Sequence, residues 1–106
     1  MYIVANRVPV NPGWETQFEE RFRQRAGQVE RQPGFVRMQV LRPVSEGTPY
    51  VVLTVWESAE AFQAWVDSDD FQRAHANPLP KEAYRSGGAM ERFEVVVAAE
   101  KGDSSV

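Results

Sequence analysis

The chain opens in strict alternation. In "YIVANRVP", residues 2–9, Tyr2, Val4, Asn6 and Val8 fall on one side of an extended segment, and Ile3, Ala5 and Arg7 fall on the other. That period predicts a strand, and "NPG" then turns the chain. From Trp14 to about Arg31 the period lengthens: Trp14, Phe18, Phe22, Ala26 and Val29 recur at helical spacing, with Glu and Arg between them. "QPG" stops this helix. "FVRMQVLRP" alternates again, Val36, Met38 and Val40 against Phe35, Arg37, Gln39 and Leu41. After the loop "SEGTP", the stretch "YVVLTVWE" at residues 50–57 is apolar on both faces, so it needs cover on both. Ser58 has the chemistry of a helix cap, and Phe62, Trp65 and Val66 form the apolar stripe behind it. "DSDD" breaks the run, and a short second helix carries Phe71, Ala74 and His75. "NPLP" ends it, because proline cannot continue the ladder. A Gly-rich loop, "KEAYRSGGA", leads to "MERFEVVVAA" at residues 90–99, which predicts the last strand.

This order predicts an α+β fold, the ferredoxin-like β-α-β-β-α-β arrangement, with a four-stranded antiparallel sheet and the helices on one face. One domain spans residues 1–100, and residues 101–106 form a disordered tail. Two helices cover only one side of the sheet. The other side keeps apolar residues from the third and last strands, and a patch of that size implies a partner. The economical solution is a homodimer through the sheet face, a dimeric α+β barrel.

Composition narrows the chemistry. The 106 residues include no cysteine, which excludes disulfides, thiolate catalysis, iron–sulfur clusters and thiolate zinc sites. A net charge of −3 argues against nucleic acid as a partner. No apolar run approaches a membrane span, and no secretory signal opens the chain, so a cytoplasmic protein is expected. "SGG" at 86–88 reads as a turn, and the arginines of "RFRQRAGQVER" are balanced by glutamates on a solvated face.

Three positions depart from a plain core pattern. Asn6 puts an amide on the strand face of Val4 and Val8, either satisfied by neighbouring backbone or aimed at a ligand. Trp65 lies with Phe62 on a helix stripe, as core or as the wall of a cofactor site. His75 is the single histidine, four residues after Phe71. It is either a solvated side chain or a ligand. One histidine cannot build a zinc site, but it can serve haem iron, whose macrocycle already supplies four nitrogens.

Asn6, Phe22, Trp65 and His75 together resemble the IsdG/MhuD type of haem-degrading monooxygenase, within the antibiotic biosynthesis monooxygenase superfamily. The resemblance runs from "IVANRVPV" to "FEVVV", and its most specific stretches are "PGFVRMQVLRPV" and "YVVLTVWESAEAFQAWVDSDDFQRAH". It implies that His75 is the axial ligand to haem iron and that Asn6 is a donor on the distal side. It further implies that Trp65 presses on the macrocycle, that Phe22 and Phe62 are apolar walls, and that Arg25 is a distal-side arginine. Haem would be both substrate and cofactor. Electrons would come from an external donor through an unidentified reductase, since the chain carries no flavin or iron–sulfur motif. Lys81 and Arg85, in the loop that would rim the pocket, are expected partners for haem propionates, and "RSGGA" is expected to leave that loop free to order on binding. Two rival readings accompany this one. The first is a cofactor-free monooxygenase of the same superfamily acting on an aromatic polyketide-like substrate, and the second is a non-catalytic haem-binding dimer.

Overall fold

A computed structural model of the chain describes residues 1–25 and 27–102. Four strands, β1 (Tyr2–Val8), β2 (Phe35–Leu41), β3 (Tyr50–Trp56) and β4 (Ala89–Glu94), form one antiparallel sheet in the order β2-β3-β1-β4. Three helices, α1 (Glu15–Arg23), α2 (Ala59–Val66) and α3 (Asp69–Ala74), complete the α+β ferredoxin-like arrangement. The register sets Val4 opposite Thr54, Asn6 between Val52 and Met90, and Met38 opposite Thr54. Because side chains alternate along a strand, these residues share the helix side of the sheet. Ile3, Val51, Leu53 and Phe93 share the other side.

The helices are placed by local chemistry. Ser58 Oγ accepts a hydrogen bond from the Ala61 amide at 3.1 Å, and Ser68 Oγ accepts one from the Phe71 amide at 3.1 Å. Each serine thereby satisfies one of the orphan donors of a first helical turn. Gly34 lets α2 lie close against the start of β2. Its φ is +79°, and a Cβ there would sit 2.5 Å from the Ala61 Cβ.

Two boundaries differ from the sequence expectation. The helix expected to reach Arg31 stops at Arg23, and Val29–Arg31 form a separate 3-10 turn; Ala26 lies outside the described residues. Gly27, at φ +76°, takes a left-handed conformation that a helix cannot continue through. Val29 still reaches the core, at 2% exposure, because the turn rather than the helix delivers it. The last strand, expected over 90–99, ends at Glu94. Its neighbour β1 begins at Tyr2, which pairs with Glu94, and the Val95 amide makes one last bond to the Met1 carbonyl at 3.0 Å. Among the described residues no further backbone pairs with Val95–Ala99, so their strand chemistry forms no ladder there. Residues 101 and 102 form a turn, and the rest of the expected tail, 103–106, lies outside the described residues.

The buried side chains fall into two clusters. One joins Val4, Val29, Trp56, Phe62 and Trp65; the other joins Val10, Phe18 and Tyr50, with Phe22, Val52 and Tyr84 packed against it.

Candidate functional site

Both clusters contribute walls to one cavity of about 510 Å³ on the helix side of the sheet. That volume lies in the range of roughly 300–1,000 Å³ typical of small-molecule and cofactor sites. Asn6, Met38, Val52 and Thr54 form its floor, α1 contributes Phe18, Arg21 and Phe22, and α2 contributes Phe62 and Trp65. The end of α3 contributes Phe71 and His75, and the following loop adds Leu79, Tyr84 and Arg85.

All six residues singled out from sequence, Asn6, Phe22, Arg25, Phe62, Trp65 and His75, line this one cavity. Asn6 is exposed rather than buried, and its side-chain amide has no hydrogen-bond partner among the described residues, so its donors open into the cavity. Trp65 is 5% exposed and packs edge-on against Phe71, with ring centroids 5.4 Å apart. The indole therefore presents a fixed wall. Phe62 is held in the same way by Tyr2 and Trp56. Arg25 lies 5.2 Å over the Phe22 ring and sets Nη1 3.2 Å from the Met38 sulfur. Burial lowers its pKa from the ordinary arginine value. Among the described residues it has no ion-pair partner.

His75 caps the C-terminus of α3, and its exposed ring stands 4.1 Å from the Phe71 ring. Its Nδ1 lies 2.8 Å from the Phe71 carbonyl oxygen. A carbonyl only accepts, so Nδ1 carries the proton, and in the neutral ring Nε2 is left with a free lone pair. A carbonyl held at Nδ1 in this way orients an imidazole to bind a metal through Nε2. No cluster of three or more His, Cys, Asp or Glu among the described residues could hold an ion by itself. The donor set suits a metal whose other ligands arrive with it.

Arg21 and Tyr84 are among the cavity residues that the sequence reading did not single out. Arg21 lines the cavity beside Tyr84, whose hydroxyl pKa is raised mainly by burial and opposed by the Arg21 charge. Arg21 was hidden in a charge-balanced helix, although its position three after Phe18 and four before Arg25 puts it on their face. Of the two expected rim cations, Arg85 lines the cavity and Lys81 does not.

The α1 wall is held from outside the cavity. Glu19 accepts hydrogen bonds from Arg42, at the end of β2, and from the Tyr50 hydroxyl, at the start of β3. Phe18 packs on Tyr50 at 4.9 Å and on Phe22 at 5.2 Å, so the same contact positions both phenylalanines.

The antibiotic biosynthesis monooxygenase family model matches residues 1–77. A heme oxygenase (mycobilin-producing) of Mycobacterium tuberculosis is 42% identical over 99 residues, which cover 90% of this chain and 89% of that one. The heme-degrader MhuD of the same organism, solved with two hemes bound in its active site, superposes with a TM-score of 0.79 at 36% identity. That alignment covers 94% of this chain and all (100%) of the other. SnoaB, a cofactor-independent oxygenase from Streptomyces nogalater, superposes with a TM-score of 0.67 at 25% identity, covering 92% of this chain and 94% of its own.

The wall contact gives a pH signature. Hydrogen bonds from Arg42 and then Tyr50 lower the Glu19 pKa from 4.5 to about 2, against the opposing effect of burial. A depressed carboxylate contributes stability that is present above its unfolded pKa and is lost as pH falls through its folded one. Wild type should therefore melt higher than Glu19→Gln at neutral pH. The gap should close between pH 4.5 and about 2. Thermal unfolding of both proteins across that window checks this, and a gap independent of pH would contradict it.

Proposed function

Because the chain belongs to the antibiotic biosynthesis monooxygenase family, we propose that it is a haem-degrading monooxygenase, with haem as both substrate and cofactor in the cavity beside His75. The observation that carries this reading is the lone imidazole whose Nδ1 is spent on the Phe71 carbonyl, leaving Nε2 free at an aromatic-lined cavity. A single nitrogen ligand is too little for a bare ion and enough for an iron already held by a macrocycle. The relatives named as a heme oxygenase and a heme-degrader support the same activity.

Bound haem supplies the iron that activates dioxygen and the ring that is opened, with electrons from an external donor. The chain's residues do the rest. His75 Nε2 would hold the iron, and the Phe71 bond fixes the tautomer and ring orientation that this needs. Asn6, on the sheet floor and without a side-chain partner among the described residues, would donate a hydrogen bond to the second substrate. Trp65, backed edge-on by Phe71, would be the rigid wall that presses on the macrocycle. Phe22 and Phe62 exclude water, and Arg25 sets a positive charge beside Phe22. Arg21 and Arg85, without carboxylate partners among the described residues, suit the two propionates. An external reductase and a cytoplasmic setting complete the reading. No helix among the described residues is long and apolar enough to cross a membrane.

A homodimer through the sheet face belongs to this proposal. Phe93 is 51% exposed and Leu41 is 42% exposed on the side that carries no helix. Val96 and Val97, 88% and 78% exposed, continue the apolar surface beyond β4. A second copy covers such a face by self-complementary contact.

Haem titration followed by absorbance, then ascorbate in air, tests the activity. Wild type should give a saturable Soret band that decays under the reductant. His75→Ala should shift or weaken the band and stop the decay. Asn6→Ala should keep the band and slow the decay by about 10- to 100-fold, the effect of one donor to a developing charge. A band identical in wild type and His75→Ala, or no band in either, would transfer the reading to a cofactor-free oxygenase of the SnoaB kind. A stable band without decay would make the protein a haem carrier.

Sedimentation tests the assembly. Wild type should run as a dimer, and Leu53→Asp, which sets a charge in the middle of the bare sheet face, should run as a folded monomer. A wild type that is monomeric at all micromolar concentrations would contradict the dimer.

A further inference from the structure

The cavity wall formed by the loop between α3 and β4 is not left loose until ligand arrives. Its middle is fastened to the turn that joins β1 to α1. The Asn11 amide donates to the Ala83 carbonyl at 2.7 Å, and the Asn11 side-chain Nδ2 donates to the Glu82 carbonyl at 2.8 Å. The Arg85 amide donates to the Pro9 carbonyl at 2.9 Å, and Val10 and Tyr84 form an antiparallel bridge between these bonds. Ala83, at the centre, is fully buried at 0% exposure.

Asn11 is the side chain at this crossing. Pro12 follows it, which disfavours helical backbone at Asn11. Its own carbonyl accepts from the Trp14 amide at 3.1 Å, just before α1. One residue thus links the end of the strand that bears Asn6, the approach to the helix that bears Arg21 and Phe22, and the loop that bears Tyr84 and Arg85.

We propose that Asn11 is a positioning residue of the haem site: its side-chain bond to the Glu82 carbonyl latches the 82–85 loop as a preformed wall, and so sets how long haem stays. This rests on the haem reading given above. The physical reason is preorganisation. A wall already ordered in the free protein loses less conformational freedom when ligand binds than one that must order then. Asn11 touches no substrate, so its loss should appear in residence time and leave iron ligation unchanged.

The test compares haem dissociation, measured by transfer to excess apomyoglobin, from wild type, Asn11→Ala and Asn11→Asp. The aspartate keeps the shape of the side chain, removes the donor and turns a carboxylate toward the Glu82 carbonyl. Both variants should release haem about 3- to 10-fold faster, the range commanded by one hydrogen bond, with a Soret maximum identical to wild type. Unchanged release, or a displaced Soret maximum, would overturn the latch. Hydrogen exchange on wild type without haem supplies a second arm that survives a variant failing to fold. The Arg85 amide should be protected well beyond the rate of a free coil, and exchange at the coil rate would overturn the proposal. A wild type that takes up no haem defeats the functional reading, and the exchange arm then judges the latch alone.

Discussion

The structure depends on a core that is divided. On the helix side of β3, Tyr50 and Trp56 stand at opposite ends, and each anchors its own cluster of buried side chains. Between them come Val52 and Thr54, which floor the cavity, Val52 also packing against the second cluster. A domain of this size has little apolar surface to spare, and leaving the middle of the sheet uncovered forgoes packing that would stabilise it. The clusters hold without that middle because each is tied separately. Ser58, Ser68 and the aromatic pairs of Phe62 with Tyr2 and Trp56, and of Trp65 with Phe71, fix one side; Glu19, with Arg42 and Tyr50, fixes the other.

The division also decides the chemistry available. The walls are the inner edges of two hydrophobic clusters, so the cavity is aromatic and aliphatic with few polar groups. The polar groups come from different elements, among them Asn6 from β1, His75 from the end of α3, Arg21 and Arg25 from α1 and the residues after it, and Tyr84 and Arg85 from the loop before β4. Neither Asn6 nor the arginines have their polar groups consumed by strong partners, and the histidine has one nitrogen consumed and one free. A large planar ligand with an apolar body, a metal centre and two carboxylates matches this distribution. The chain resembles both a heme-degrader and a cofactor-independent oxygenase, and the proposed function therefore places its weight on the imidazole.

Much of this was legible in the sequence because period and position coincide there. The four strands and the helix-borne aromatic stripe follow from spacing alone, and the lone histidine stands out because nothing competes with it. Local periodicity misled in two places. Val29 has the right spacing for α1 but is reached through Gly27, and Val95–Ala99 have the composition of a strand but no neighbour to pair with. Long-range contacts left no trace. Nothing in "RVPVNPGW" announces that Asn11 meets Glu82, so the fastening of residues 82–85, just ahead of the glycines of "RSGGA", was not legible. Arg21 was masked for a similar reason. Its local neighbours are glutamates that balance it on paper, while in space it faces Tyr84.

The central claim is that His75, through the nitrogen not held by Phe71, binds haem iron. Because the chain holds one histidine, growth on ¹⁵N-histidine labels this residue and no other imidazole. Pulsed electron paramagnetic resonance of the ferric haem complex, compared between labelled and unlabelled protein, reads the claim directly. A ¹⁵N coupling of ligand strength, added to the four porphyrin nitrogens, is the result expected. A spectrum that does not change with the label would show that the iron is held by something other than His75, and the account of the site would fail with it.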